Sequence, residues 1–136
     1  MGGPGVSGRF SGTSGAKSSR YSGALLKSNK QDANADKLGR RIHGKSRVYF
    51  ENDPAKREFD AVSKKYVAQT KPAVMTLGKA FREQMKATFT AAKETGRKVY
   101  YHFEGNPAKS VINKLHDYSK RYGVDVVIDI EPLNKK

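Results

Sequence analysis

A predicted β-hairpin within residues 58–71 carries polar side chains at alternate positions in each of its two arms. They are Glu58 and Asp60 in the first arm, and Gln69 and Lys71 in the second. Successive side chains of a strand point to opposite faces of the sheet, so alternate positions share a face. One plausible register of the hairpin places Asp60 beside Gln69, with Lys71 one pleat further on. These residues therefore either form the solvated face of a sheet edge or converge on a metal ion and a phosphate.

The second alternative has a defined chemistry. A hard divalent cation prefers oxygen ligands, and the hairpin offers the Asp60 carboxylate, the Gln69 amide oxygen and the Thr70 backbone carbonyl. A metal bound there would polarise a phosphoryl oxygen and lower the pKa of a bound water. Lys71 would orient the attacking water or offset charge developing on phosphorus. Mg²⁺ is the expected metal, with Mn²⁺ and Zn²⁺ as alternatives.

The composition limits the class of protein. The chain has 136 residues, a formal net charge of +14 and no cysteine. It is long enough for one domain, and neither disulfides nor thiolate metal sites can form. The positive charge favours nucleic acid as partner, with acidic proteins and anionic membranes as rivals. No apolar run is long enough for a membrane span, and we expect no signal peptide in this chain.

Glycine and serine dominate the start of the chain, so residues 1–30 are predicted to be a flexible basic linker and residues 31–136 a single domain. Strict alternation in the hairpin puts Phe59 and Ala61 on the face opposite Asp60. The predicted elements are a helix (31–42), three strands (46–53, 57–62 and 66–70), a helix (77–95), a strand (98–104), a helix starting at Asn106 and ending at Gly123, and a strand (124–130).

This order predicts an α/β (α+β) protein with a mixed sheet. Three successive strands favour antiparallel pairing, and the two strand–helix–strand units that follow favour parallel crossovers with helices covering the sheet. The expected N-caps are Asp32 or Asn34 for the first helix, Thr76 for the second and Asn106 for the third, while Gly96 is expected to end the second helix.

Asp60 followed on the next strand by Gln69-Thr70-Lys71, then by a long helix and a strand, resembles the PD-(D/E)XK nuclease superfamily. That superfamily has the restriction-endonuclease-like fold with an αβββαβ core, which corresponds to residues 31–104, and a helix–strand unit would follow here. Residues 46–132 also resemble the C-terminal nuclease domains of bacterial polymorphic and contact-dependent inhibition toxins.

The resemblance assigns roles to individual residues. It implies that Asp60 is the motif aspartate, that Gln69 replaces the second acidic residue and that Lys71 is the motif lysine. Gln84, in the helix after the motif, stands where related nucleases place a glutamine facing the active site. Two departures are Phe59 in place of the proline before the aspartate, and an amide rather than an acid at position 69.

A neutral ligand weakens metal affinity, so a further carboxylate is expected. The candidates are Glu58 and Glu51, and, from the first helix, Asp32 and Asp36. Residues 37–47 are rich in basic residues and contain no acidic one. This pattern predicts a nucleic-acid-binding arm rather than an ordinary solvated run. Its members are Arg40, Arg41, Lys45 and Arg47.

Taken together, the sequence and the resemblance predict a metal-dependent endonuclease acting on DNA first and tRNA second, as the toxin domain of an antibacterial effector. The resemblance implies an acidic immunity protein as partner, and delivery into a target bacterium's cytoplasm within a larger secreted protein. The alternatives are a non-catalytic basic module that binds nucleic acid and a toxin domain of other chemistry. His102 is expected to be a core or boundary histidine rather than a catalytic one.

Overall fold

The computed structural model describes residues 20–134, and within them nine regular elements follow one another. They are β1 (Leu25–Lys27), α1 (Ala33–Ile42), β2 (Lys45–Phe50), β3 (Phe59–Val62), β4 (Tyr66–Pro72), α2 (Lys79–Thr95), β5 (Lys98–Glu104), α3 (Lys109–Tyr122) and β6 (Val126–Asp129).

The six strands form one sheet in which spatial order equals chain order, from β1 to β6. The pairings from β1 to β4 are antiparallel, whereas β4–β5 and β5–β6 are parallel. The predicted mixed sheet is therefore confirmed, and the hairpin of β3 and β4 lies in its interior. The two edge strands are short, three residues in β1 and four in β6.

Helices cover both faces of the sheet. The larger core lies on the side of α2 and α3, where Phe81, Met85 and Phe89 recur every four residues along α2 and are buried. The smaller core lies on the other side, where Leu38 and Ile42 of α1 join the β-sheet alanines. Because both faces are covered, a functional cleft must open at an end of the sheet.

The helix ends were partly predictable. Asp32 caps α1 by accepting a hydrogen bond from the backbone N–H of Ala35 at 3.1 Å, as expected. Gly96 and Gly123 end α2 and α3 with φ of 69° and 67°, a left-handed conformation that favours glycine.

The predicted caps Thr76 and Asn106 are wrong, because α2 begins after Gly78 and α3 after Ala108. The segments before the two helices are held to each other instead, since the Ala108 N–H donates to the Val74 carbonyl at 2.9 Å.

The domain extends into the predicted linker. Leu25–Lys27 pair with β2, and Tyr21 is 4% exposed and packs edge-on against Phe50 and Phe59, with ring centroids 5.9 and 5.7 Å away. The boundary expected after residue 30 is therefore too late by at least ten residues, counted from Tyr21. Residues 1–19, which contain most of the predicted linker, lie outside the described part of the chain.

Strict alternation fails at one point of β3. Phe59 packs in the larger core and Ala61 in the smaller core, so they lie on opposite faces of the sheet and the expectation that they share a face is wrong. Their partners in β2 are Val48 and Ser46, and Arg47 between them has a positive φ of 53°. The break in alternation in β3 thus coincides with an irregular backbone at Arg47 in the paired strand β2.

None of the helices in residues 20–134 combines the length and the apolar composition that crossing a membrane requires.

Candidate active site

Asp60 and Gln69 link β3 and β4 where the regular pairing of these strands ends. The paired residues are Ala61 with Ala68 and Val62 with Val67. Beyond them, the Thr70 N–H donates to Asp60 Oδ2 at 2.9 Å, and the Asp60 N–H approaches Gln69 Oε1 at 3.4 Å. The structure therefore brings Asp60, Gln69 and Thr70 together, in the register that the sequence left open.

The pKa of the Asp60 carboxyl group is raised. It lies at about 6 instead of 3.8, chiefly because of burial and to a smaller extent because of the nearby carboxylates of Asp32 and Glu58. The hydrogen bond from Thr70 and the charge of Lys71 act in the opposite direction. Asp60 is thus a half-buried carboxyl group whose charged form is costly until a cation or a proton is near.

Gln69 is 2% exposed and points toward α2. Its Nε2 donates to Thr88 Oγ1 at 3.2 Å, and the Thr88 hydroxyl donates to the Gln84 carbonyl at 2.7 Å. Because Thr88 uses its only proton on that carbonyl, its oxygen can accept from Gln69 but not donate to it. This fixes the amide so that Oε1 faces Asp60.

Gln84 takes part in the same buried network. The Tyr101 hydroxyl donates to Gln84 Oε1 at 3.0 Å, and burial raises the pKa of Tyr101 well above its usual range. Gln84 therefore lies on the side of α2 that faces the sheet, and its role at the active site stays a prediction. Sequence reasoning missed Thr88 and Tyr101, although a polar residue within the buried stripe of α2, one turn after Gln84, is a recognisable signal.

Lys71 is one of the residues that line a cleft of about 340 Å³. The cleft opens at the carboxyl ends of β4 and β5, and it is lined by Asp32, Asn34, Thr70, Lys71, Pro72 and Glu104. Lys71 Nζ is 5.0 Å from the centroid of the Phe81 ring, which is a cation–π contact. Asp60 and Gln69 are not part of the lining, but they adjoin it through Thr70.

The other expected carboxylates divide into two groups. Glu58 accepts from Ser28 Oγ at 2.8 Å and is close enough to raise the pKa of Asp60, so it remains near the site. Glu51 binds the Ala24 N–H at 3.0 Å, beside β1. Asp36 accepts from Ser46 and from Arg47 Nε at 2.8 Å, which lowers its pKa. Glu51 and Asp36 are therefore structural.

The predicted basic arm also divides. Arg41 pairs with Asp129 at 2.9 Å and donates to two carbonyls of residues 131–132. Arg47 pairs with Asp36. Both guanidinium groups thus have internal partners. Arg40 and Lys45 are exposed, and their side chains make no hydrogen bond or ion pair within residues 20–134.

His102 is fully buried, as a core histidine, and it contacts Thr70. Its Nε2 lies 2.6 Å from the Glu131 carbonyl oxygen, which can only accept, so Nε2 carries a proton. In the neutral ring Nδ1 is then an acceptor for the Thr70 hydroxyl at 2.7 Å. His102 therefore holds Thr70 in place next to Asp60.

The oxygen atoms at the site suit Mg²⁺ better than Zn²⁺. Residues 20–134 contain no group of three or more histidine and acidic side chains that could enclose a metal. Mg²⁺ is commonly held by one or two carboxylates, with water and phosphate oxygens as its other ligands, and Asp60 with its neighbouring carbonyl groups fits that pattern. Zn²⁺ prefers nitrogen and sulfur ligands, and both ring nitrogens of His102 are already engaged.

Comparison with known proteins identifies a family. Searches of curated proteins and of solved structures find no match. A match to the family described as restriction endonuclease fold toxin 3 covers residues 24–131. This range includes all the strands and helices described above, from β1 to β6. The mixed six-stranded sheet with three helices is consistent with a restriction-endonuclease-like fold. The chain therefore belongs to the restriction endonuclease fold toxin family, which implies a nuclease-type enzyme.

Proposed function

We propose that the protein is a metal-dependent nuclease that hydrolyses phosphodiester bonds in DNA, with tRNA as the second candidate. The observation that carries this proposal is the grouping of Asp60, Gln69 Oε1 and Thr70 beside a cleft that contains Lys71. Membership of a restriction endonuclease fold toxin family supports nuclease chemistry in general. The residues support the metal-assisted form of it.

Each residue has a proposed role. Asp60, helped by Gln69 Oε1 and the Thr70 carbonyl, would hold a Mg²⁺ ion, as a PD-(D/E)XK site of a variant type with glutamine in place of the second acid. When bound, such an ion polarises a phosphoryl oxygen and makes a water molecule more acidic. Lys71 places a positive charge in the cleft, where it offsets negative charge developing on the phosphate. Glu58 adds a carboxylate near Asp60.

The biological setting is part of the proposal. A nuclease toxin harms the cell that makes it, so a producing bacterium needs an immunity protein. The formal net charge of +14 favours an acidic immunity protein, because opposite charges speed the encounter of two proteins. We also propose that the domain reaches the cytoplasm of a target bacterium as part of a larger secreted effector, in the manner of contact-dependent inhibition.

Cleavage assays test the enzyme proposal. The purified protein is incubated with plasmid DNA and, separately, with total tRNA, with Mg²⁺ or with EDTA. We expect Mg²⁺-dependent cleavage of at least one substrate. Asp60→Asn should abolish cleavage, since the amide keeps an acceptor for the Thr70 N–H but lacks the charge that holds a metal. Asp125→Asn is the matched control, because that side chain is 80% exposed.

Two results would count against the proposal. Cleavage that persists both in EDTA and in Asp60→Asn would refute the assigned site while leaving an enzyme. Retarded migration of the nucleic acid without any cleavage, unchanged by EDTA, would favour the non-catalytic nucleic-acid-binding module.

A further inference from the structure

The cleft is poorly suited to attract a polyanion by itself. Its acidic neighbours are Asp32 and Glu104 in the lining, with Glu58 and Asp60 nearby. Among the lining residues that fall within 20–134, Lys71 is the only basic one. Phosphate groups supply most of the affinity in protein–nucleic acid complexes, through lysine and arginine contacts. If the proposed nuclease function holds, those contacts must lie mainly outside the cleft.

Helix α1 leads away from the cleft on its exposed side. Its first turn adjoins the cleft, which Asn34 lines. Leu38 and Ile42 face the sheet and are buried. Lys37 is half-buried and its ammonium group donates to the neutral side chain of Asn134, whereas Arg40 is exposed on the outer side. Residues three apart on a helix are neighbours, so Asn34, Lys37 and Arg40 form one stripe along α1.

The stripe continues onto the turn between β3 and β4. After α1 the chain passes so close to β3 that a Cβ on Gly44 would lie 2.5 Å from the Val62 carbonyl oxygen. Lys45, the next residue, is the register partner of Val62, and the exposed Lys64 and Lys65 follow in the turn. The end of α1 and the turn of the hairpin are therefore adjacent.

These five cations form what we call the basic track: Lys37, Arg40, Lys45, Lys64 and Lys65. Neither residues 37–47 nor residues 61–71, the segments that supply it, contain an aspartate or glutamate. The ion pairs of α1 and β2 involve other residues, Arg41 and Arg47. The track is thus a positive surface that starts at the cleft, and its own segments contain no acidic residue.

We propose that the basic track binds the phosphates of the nucleic acid that flanks the scissile bond, so that the substrate runs from the cleft along α1 to the turn between β3 and β4. This proposal rests on the proposed nuclease function. The ten residues of α1 span about 15 Å, the length of roughly four to five base pairs of a duplex. Such contacts read the backbone and not the bases, so the track would give affinity without sequence preference.

A binding experiment with a matched charge control tests the track. All proteins carry Asp60→Asn so that the probes stay intact. The track variant adds Arg40→Gln, Lys64→Gln and Lys65→Gln. The control adds Lys86→Gln, Lys109→Gln and Lys120→Gln, which change the net charge equally at exposed positions of α2 and α3. Fluorescence anisotropy of a labelled DNA duplex and of labelled total tRNA is measured over a range of salt concentrations.

We expect the track variant to bind the preferred probe at least about tenfold more weakly, and its plot of log K against log salt to be less steep by roughly 2 to 3, near 0.9 per lost duplex phosphate contact. The control should match the parent protein. Equal losses of affinity in the two variants would refute a localised track. No loss in the track variant would refute nucleic-acid binding by the track and would favour an acidic protein as its partner. Urea unfolding of all three proteins checks that they are equally folded.

The two proposals can fail separately. Absence of cleavage by the wild-type protein would overturn the nuclease function and not the binding result. If the wild-type protein cleaves nucleic acid and the track variant binds it as tightly as the parent protein does, only the proposal about the track is overturned.

Discussion

Replacing Asp60 with asparagine should stabilise the fold at neutral pH while abolishing the proposed activity. The pKa of Asp60 is about 6 in the folded protein, chiefly because of burial, against 3.8 for an ordinary carboxyl group. The folded and unfolded states therefore differ by about two pH units in the pKa of this group. Each unit corresponds to about 1.4 kcal/mol, which gives a cost of roughly 3 kcal/mol for carrying the charged carboxylate at neutral pH. Asparagine carries no charge and keeps an oxygen for the Thr70 N–H.

The sign of the pH dependence follows from the raised pKa. Below about pH 4 Asp60 is protonated in both the folded and the unfolded wild type. The folded protein then carries no buried charge at this position, so the wild type has its full stability. Between about pH 4 and pH 6 the unfolded chain loses the proton first, so the wild type loses stability as the pH rises. The advantage of Asp60→Asn should therefore be small near pH 4, grow through pH 6 and then level off.

Urea unfolding of wild type, Asp60→Asn and the exposed control Asp125→Asn, at pH values below, near and above 6, measures this directly. We expect Asp60→Asn to gain about 1 to 3 kcal/mol at neutral pH, and its melting temperature to rise by at least about 4 °C. Asp125→Asn should follow the wild-type curve. An Asp60→Asn protein that is less stable than wild type at neutral pH, or a difference that does not change with pH, would refute the reasoning.

Two further predictions concern the proposed activity. Because Asp60 must be charged to hold a cation, cleavage at limiting Mg²⁺ should rise as the pH passes through 6 and level off above it, and a rate that falls over this range would contradict that role. Thr88→Val should lower kcat about tenfold, because it removes the hydroxyl that holds the Gln69 amide. Thr88→Ser keeps the hydroxyl and should retain the rate. Equal losses of kcat in the two variants would contradict an orienting role for the hydroxyl.

Local sequence signals predicted much of the architecture. The four-residue spacing of Phe81, Met85 and Phe89 is a local signal of the buried face of α2, and Gly96 and Gly123 end α2 and α3 as expected. In β4, alternation correctly placed Gln69 and Lys71 on one face, and the structure shows that this face meets α2. These features depend on residues close together in the chain, so their pattern is legible without the fold.

Features that depend on distant residues were not predictable. Arg41 is taken out of the proposed nucleic-acid arm by Asp129, a residue 88 positions away. The break in alternation in β3 coincides with the positive φ of Arg47 in the paired strand, and a non-glycine residue gives no sign of such a conformation. Tyr21 stands among glycines and serines, and only the packing against Phe50 and Phe59 makes it part of the core.

The shortness of β1 and β6 limits how other chains can associate with the sheet. An exposed edge strand offers unpaired backbone groups to which a foreign strand can add, and long edges invite aggregation. In residues 20–134 the edges contribute only three and four residues. We therefore expect an inhibitor protein to recognise side chains on the surface instead of extending the sheet, and concentrated solutions of the domain to resist amyloid-like assembly.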